Sequence, residues 1–181
     1  MLEKRIPEEK TALPELSLRP VEEGDTPFLR EMFGDTRALE VTYLEGSEAD
    51  KQAFLDLQFA LQSRSYWKNN PDGRFDIILL GETPIGRLYV NRSPYNIHII
   101  DITLHNRYQR QGIGSRILKS LQNEAGAFQG SLSIMVEDFN PAVKLYERLG
   151  FGAVETHGVH IQMRWPSRNA EPTPVTRPTG D

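Results

Sequence analysis

Short runs of β-branched and aromatic residues, bounded by Gly, Pro and Asn, recur along the chain from residue 75 onward. Runs of this kind are typical of β-strands. They predict strands over 75–80, 85–91, 97–104, 131–136, 151–155 and 159–165, and the alternation of Leu16 and Leu18 with polar residues predicts another over 16–20. The three runs between residues 75 and 104 are separated by short turns and predict an antiparallel meander.

Apolar residues three and four positions apart predict helices between these strands. The first follows Asp25, a candidate N-cap, and the second extends from Ser47 to about Lys68. In the second helix Phe54, Leu57 and Leu61 mark the expected apolar positions. The later helices follow residues 112 and 140, so the order strand, helix, strand predicts a parallel pair between 97–104 and 131–136.

At 181 residues with 38% hydrophobic content, the chain predicts one domain with a substantial core. The domain is expected over 16–165. Residues 1–15 are charged and predict an N-terminal extension, and residues 166–181 are rich in proline and predict a disordered tail.

The charge balance and the side-chain inventory exclude several classes of partner. The net charge of −4 argues against nucleic acid and anionic membranes, and no apolar run is long enough to span a bilayer. The absence of cysteine and of paired histidines predicts no metal site and fits a cytoplasmic protein.

Two glycines lie where the apolar run 97–104 gives way to a helical pattern, within the segment 109–115. Glycine allows backbone N–H groups to approach a ligand, and a helix N-terminus adds unpaired donors and partial positive charge. The segment therefore predicts an anion site, most often for phosphate, to which Gln109 and Arg110 could contribute. A P-loop would need a Lys after Gly114, and a dinucleotide fingerprint would need a glycine at Ile117, so neither pattern is met.

The segment instead has the pattern [Q/R]-x-x-G-x-[G/A], formed by Gln109, Gly112 and Gly114. Residues 140–151 then read N-P-A-V-K-L-Y-E-R-L-G-F. Asn140 and Gly150 suit the two ends of a short helix. Together, in this order, the segments resemble the GCN5-related N-acetyltransferase (GNAT) superfamily over roughly residues 75–165.

This resemblance implies an α/β (α+β) fold with a mixed, mostly antiparallel sheet of about six or seven strands and about four flanking helices. The sheet is expected to open at an acetyl-CoA site. Pantetheine would pair with the backbone of Ile102, Thr103 and Leu104, and the pyrophosphate would lie against the glycine segment. By resemblance, the cofactor-binding residues are Ile102, Thr103, Leu104, Gln109, Arg110, Gln111, Gly112, Ile113, Gly114, Ser115, Asn140 and Tyr146.

The resemblance implies a catalytic acid but leaves the identity of the base open. Tyr146 matches the family tyrosine that protonates the CoA sulfur, although it would also suit the core. The family glutamate five positions before the asparagine is Met135 here, which leaves Asp101 and Glu137 as candidate bases. Burial among isoleucines could raise the pKa of Asp101, but a structural pair with Arg87 is an equal alternative.

The resulting hypothesis is direct transfer of an acetyl group from acetyl-CoA to an amine of a small molecule or peptide, by a monomer or homodimer. One alternative is a catalytically inactive acyl-CoA-binding module. Another is an interaction domain whose glycine turn binds nothing.

Overall fold

The computed structural model describes residues 15–165. Its helices and strands follow one another as β1 Leu16–Pro20, α1 Thr26–Thr42, α2 Glu48–Asn69, β2 Arg74–Leu80, β3 Thr83–Ser93, β4 Asn96–Leu104, α3 Ile113–Ala127, β5 Ser131–Glu137, α4 Val143–Arg148, β6 Gly152–His157 and β7 His160–Trp165. Short 3₁₀ turns occur at Glu23–Asp25 and Asn106–Tyr108. The expectations for residues 1–14 and for the tail 166–181 lie outside the described residues.

The seven strands form one sheet in the order β1-β2-β3-β4-β5-β7-β6. The sheet is antiparallel except for β4 and β5, which pair in parallel as predicted. This mixed α/β architecture with an open sheet confirms the predicted fold class. The turns that join β2, β3 and β4 are short, so these strands pair antiparallel. The connection through α3 is long enough for β5 to run parallel to β4.

Each face of the sheet carries its own apolar cluster. On one face, α3 buries Ile113, Ile117, Leu118, Leu121 and Ala125 against β3, β4 and β5. On the other face, α1 and α2 pack Leu29, Phe33 and Phe59 against Ile77 of β2.

The first helix begins directly after Asp25, as predicted. Asp25 occupies its N-cap position, but the carboxylate makes no capping hydrogen bond. It accepts instead from both terminal nitrogens of Arg19, at 2.6 and 2.7 Å, because the guanidinium of β1 offers two charge-assisted bonds. The helix then continues through Gly34 to Thr42.

The residues predicted to form the apolar face of α2 lie on its exposed side, not on the side that packs against the sheet. Phe54, Leu57 and Leu61 are exposed, whereas Phe59 is buried and Leu55 packs beside it. Both faces of α2 carry apolar residues, so helical spacing alone did not identify the side that contacts the sheet.

Candidate active site

β4 and β5 are paired only from Asn96↔Ser131 to Ile99↔Ile134. β4 then extends to Leu104 and β5 to Glu137 without further pairing between them. We call the wedge between residues 100–104 of β4 and 135–137 of β5 the strand gap. A β-bulge in the pairing of β3 with β4, between Tyr89 and Val90, lies at the point where the gap begins. Bulges bend a strand, and this one directs β4 away from β5.

The backbone of β4 is oriented for a ligand in the strand gap. The N–H of His105 donates to Ile85 of β3 at 2.8 Å. Since successive residues of a strand present their N–H and C=O groups to opposite sides, Ile102 and Leu104 present theirs to the strand gap. Gly86 lets β3 approach closely, because a Cβ there would meet the Thr103 carbonyl oxygen at 2.5 Å.

The glycine segment lies directly beyond the end of β4. Gly112 is the N-cap of α3 with φ +80°, a left-handed conformation, and Arg110 has φ +60°. A Cβ at Gly112 would meet no atom within 4 Å, so the space beside it is open. The first backbone bond of α3 is donated by Arg116 to Gly112. Among residues 15–165, the N–H groups of residues 110–115 have no hydrogen-bond acceptor.

These N–H groups and the positive end of the α3 dipole make an anion-binding loop. The cationic side chain of Arg110 is exposed beside it and forms no ion pair with another described residue. The side chains of Gln109 and Gln111 form contacts within the loop itself. Gln109 Nε2 donates to the Leu104 carbonyl at 2.8 Å and Gln111 Nε2 to the Arg107 carbonyl at 2.6 Å, so both amides brace the loop.

The short helix α4 follows β5 and carries Tyr146. Its ring is 4% exposed and packs on Phe151, with ring centroids 5.6 Å apart. Burial raises the pKa of the hydroxyl above its ordinary value, and the charge of Asp101 raises it further. The phenol is therefore protonated at neutral pH and can donate a proton.

Asn140 and Gly150 position this helix. α4 starts at Val143, two residues later than predicted, after a turn in which Asn140 Oδ1 accepts from the Ala142 N–H at 2.9 Å. Gly150 has φ +84°, and the N–H of Phe151 donates to the Tyr146 carbonyl at 3.0 Å. This closing turn is the one expected of a glycine at the helix end.

Asp101 belongs to a buried polar cluster on the α1–α2 face. Its Oδ2 accepts from Arg87 Nη2 at 2.8 Å and from the Tyr66 hydroxyl at 2.6 Å. Its Oδ1 accepts from Thr103 Oγ1 at 2.7 Å. The pairing with Arg87, one of the two alternatives from sequence, is present. The Tyr66 and Thr103 bonds were not predicted; only the i, i+2 spacing of Asp101 and Thr103 along one strand face indicated part of them.

Glu137, the other candidate base, has a different environment. It ends β5 at the mouth of the strand gap and is half-buried. Within the described part of the chain its carboxylate forms neither an ion pair nor a side-chain hydrogen bond. Met135, at the position of the family glutamate, is 41% exposed on the same strand.

The histidines serve other contacts. His98 Nδ1 lies 3.0 Å from Ser133 Oγ on β5, and His105 Nε2 lies 3.5 and 3.6 Å from Glu31 and Asp35 of α1. Among residues 15–165 no three His, Asp or Glu side chains are grouped to hold a metal ion. No helix in the same range is long and apolar enough to cross a membrane.

Comparison with known proteins decides the family. The sequence profile of the Acetyltransferase (GNAT) family matches residues 35–151, more than half of the chain. The protein belongs to the GNAT acetyltransferase family. The matched range includes the strand gap, the anion-binding loop and Tyr146. A search of curated proteins found no match.

Solved GNAT structures share the fold at low sequence identity. The PaiA N-acetyltransferase of Thermoplasma acidophilum, in complex with coenzyme A, is 17% identical with a TM-score of 0.59, and the match covers 84% of this chain and 99% of that one. A GNAT acetyltransferase of Elizabethkingia anophelis with acetyl-CoA bound is 16% identical with a TM-score of 0.54, over 83% and 97%. The spermidine N-acetyltransferase of Vibrio cholerae, with CoA and spermine, is 19% identical with a TM-score of 0.54, over 82% and 94%.

Proposed function

We propose that this protein is an acetyl-CoA-dependent N-acetyltransferase that transfers the acetyl group directly to an amine of a small molecule or peptide. The observation that carries the proposal is the row of unpaired N–H groups over residues 110–115 beyond the open end of the β4–β5 pair, with a buried tyrosine, Tyr146, on the helix that follows β5. Family membership and the CoA-bound neighbours support the cofactor.

The described residues fit CoA by their chemistry. The diphosphate is anionic and requires several donors, which the N–H groups of residues 110–115 and Arg110 supply. The pantetheine arm carries amides, and the free N–H and C=O groups of Ile102 provide a strand edge for them. Leu104 offers its N–H, because its carbonyl is already occupied by Gln109. Asn140 keeps its side-chain NH₂ available, since only its oxygen is used in the turn.

The chain's own groups account for the two proton movements of the reaction. Acetyl-CoA supplies the thioester whose carbonyl the amine attacks. A backbone N–H of β4 in the strand gap stabilises negative charge on that carbonyl oxygen. Tyr146 donates its phenolic proton to the departing sulfur, a role that suits a hydroxyl kept protonated by burial.

Two carboxylates are candidates for accepting the proton of the amine. Asp101 already accepts three hydrogen bonds, one of them from a guanidinium, so both of its carboxylate oxygens are occupied by other side chains. Glu137 makes no such contacts with described residues and lies at the mouth of the strand gap. We therefore assign Glu137 as the base, directly or through water, and assign Asp101 to hold Tyr66 and β4 in place.

The test is a panel of amines incubated with the full chain and acetyl-CoA, with free thiol as the readout. Thiol release that requires both a particular amine and the protein supports the proposal. Tight CoA binding with no thiol release from any amine favours the alternative of an inactive acyl-CoA-binding module. If calorimetry detects no CoA binding, both the acetyltransferase proposal and the inactive-module alternative are contradicted. The interaction domain is then the remaining alternative.

A further inference from the structure

Helix α2 carries two apolar faces, of which the sheet uses only one. Leu55 and Phe59 pack on the sheet side with α1 and β2, and Tyr66 reaches Asp101. On the opposite side Phe54, Leu57 and Leu61 are 42%, 58% and 52% exposed. A surface helix in a monomer usually has a single apolar stripe, so the outer one needs another explanation.

The outer residues follow a regular spacing of alternately four and three positions. This outer stripe, all of it exposed, consists of Asp50, Phe54, Leu57, Leu61, Arg64 and Lys68. Such spacing, averaging 3.5 residues, keeps a seam of side chains on one side of a helix and is the pattern of helices that pack along one another. Ala53 and Ala60 flank the stripe and are also exposed, and small residues there permit close approach of another helix.

The order of charges along the outer stripe is self-complementary. Its N-terminal end is acidic, with Asp50, its centre is apolar, and its C-terminal end is basic, with Arg64 and Lys68. A second copy packed antiparallel would bring each acidic end against a basic end. The two helix dipoles would also oppose each other favourably.

We propose that the outer stripe of α2 is a homodimer interface, in which α2 pairs antiparallel with α2 of a second copy about a two-fold axis. The register that aligns both charged ends places Leu57 of one copy opposite Leu61 of the other. It also places Phe54 opposite Arg64, a cation–π pair, and Asp50 opposite Lys68. An isologous contact of this kind uses each pair twice, so a surface that is modest in one copy is doubled.

The observations favour a second copy of this chain over an unrelated partner. The outer stripe supplies both halves of its own complement, in charge and in apolar centre, without any other sequence. An interface of one helix pair lies at the small end of specific interfaces, below roughly 1,200 Å² in total. Dimerisation is therefore expected to depend on concentration over about 1–100 µM.

Sedimentation velocity of the full chain over that concentration range tests the proposal. The wild type is expected to shift from monomer to dimer. Leu57→Glu and Leu61→Lys alone each place a charge against a leucine and should raise the dimer dissociation constant at least tenfold. Mixed in equal amounts, the two variants should form a heterodimer, because the introduced carboxylate would then face the introduced ammonium while the other leucine pair is retained. Association of the mixed variants is expected only if the two helices pack antiparallel with Leu57 of one copy opposite Leu61 of the other.

Val159→Glu is the matched control, since Val159 is 52% exposed in the β6–β7 turn at the far edge of the sheet. It should leave the dissociation constant unchanged. A monomer at every concentration, a dimer lost only in Val159→Glu, or failure of the mixed variants to associate would each overturn the proposal. So would a monomer whose melting temperature falls by several degrees in Leu57→Glu, because another part of the same chain would then cover the stripe.

Discussion

Tyr146 combines a packing role with a proposed chemical one, and a single substitution separates the two. The ring packs on Phe151, while the hydroxyl forms no hydrogen bond with another described residue. Tyr146→Phe should therefore leave the melting temperature nearly unchanged. It should lower kcat by about 10²-fold, the low end for positioned acid catalysis, with KM for acetyl-CoA unaltered. Steady-state kinetics with an accepted amine measures this, and a kcat within about threefold of wild type would restrict Tyr146 to packing.

Loss of the charge of Asp101 is expected to reduce stability, whereas loss of the charge of Glu137 is expected to reduce activity. Arg87 and Asp101 are 5% and 11% exposed, so Asp101→Asn removes the partner of a buried guanidinium. This should lower the free energy of unfolding by about 3 kcal/mol. Glu137→Gln should change it by less than about 0.5 kcal/mol but lower kcat/KM by at least about tenfold. Denaturant unfolding and kinetics on both variants check the assignment; the reverse pattern would make Asp101 the base.

For single residues, the sequence predicted which ones belong to the site better than it predicted the contacts that they make. Gly112 and Tyr146 could be named because each occupies a fixed place in a local motif. Gln109 could also be named, but the bond from its amide to the Leu104 carbonyl could not. The bond between Tyr66 and Asp101 joins residues 35 positions apart, and no local pattern encodes which strand face a distant helix meets.

Among the elements, the α3 N-terminus is the most direct to test. Gly112→Asn and Gly112→Asp both add a side chain that tolerates φ of +80°, but only Asp adds a negative charge. Because a phosphate is expected beside Gly112, Asp should weaken CoA binding at least about tenfold more than Asn. Calorimetric titration of CoA into the two variants gives the comparison. Equal CoA affinities, with both variants folded by circular dichroism, would indicate that the diphosphate binds away from Gly112.

The closed end of the β4–β5 pair predicts a pH dependence of stability. Burial lowers the pKa of His98 from the ordinary value of 6.5, and Nδ1 contacts Ser133 Oγ on β5. In the unfolded chain His98 takes up a proton as the pH falls through 6.5, while in the folded chain it resists doing so. The free energy of unfolding should therefore fall as the pH drops below 6.5.

His98→Gln should flatten this dependence between about pH 6.5 and 5, because Gln can contact Ser133 without titrating. Urea unfolding of the two proteins across that range measures the difference. An identical slope in the variant would assign the pH dependence to other groups.

Element boundaries and pairings were predictable where the pattern was unambiguous. The strands alternate or form short apolar runs between Gly and Pro turns, and all seven are present within a few residues of their predicted ends. Helix α2 was placed correctly, but its sheet-facing side was not, because Leu55 and Phe59 compete with the exposed stripe of Phe54, Leu57 and Leu61. Periodicity locates a helix; which of two apolar faces is buried depends on the sheet it meets.

In the whole molecule, the separation of β4 from β5 brings the parts of the site together. The gap begins after Ile99↔Ile134, the anion-binding loop follows β4, and α4 follows β5. Chain order alone predicted these neighbours, since a parallel pair joined by α3 must place the N-terminus of α3 at the C-terminal end of β4. The width of the gap and the cluster around Asp101 depend on the bulge and on packing of α2, which the order of elements does not contain.

The most direct test of the central claim is to measure both products of one reaction. The full chain is incubated with acetyl-CoA and the amine panel, and acetylated amine, identified by mass, is counted against free CoA thiol. Direct transfer predicts one acetylated amine for each thiol released, at a rate reduced equally for both products in Tyr146→Phe. Thiol release without an acetylated amine, or neither product despite CoA binding, would contradict the account.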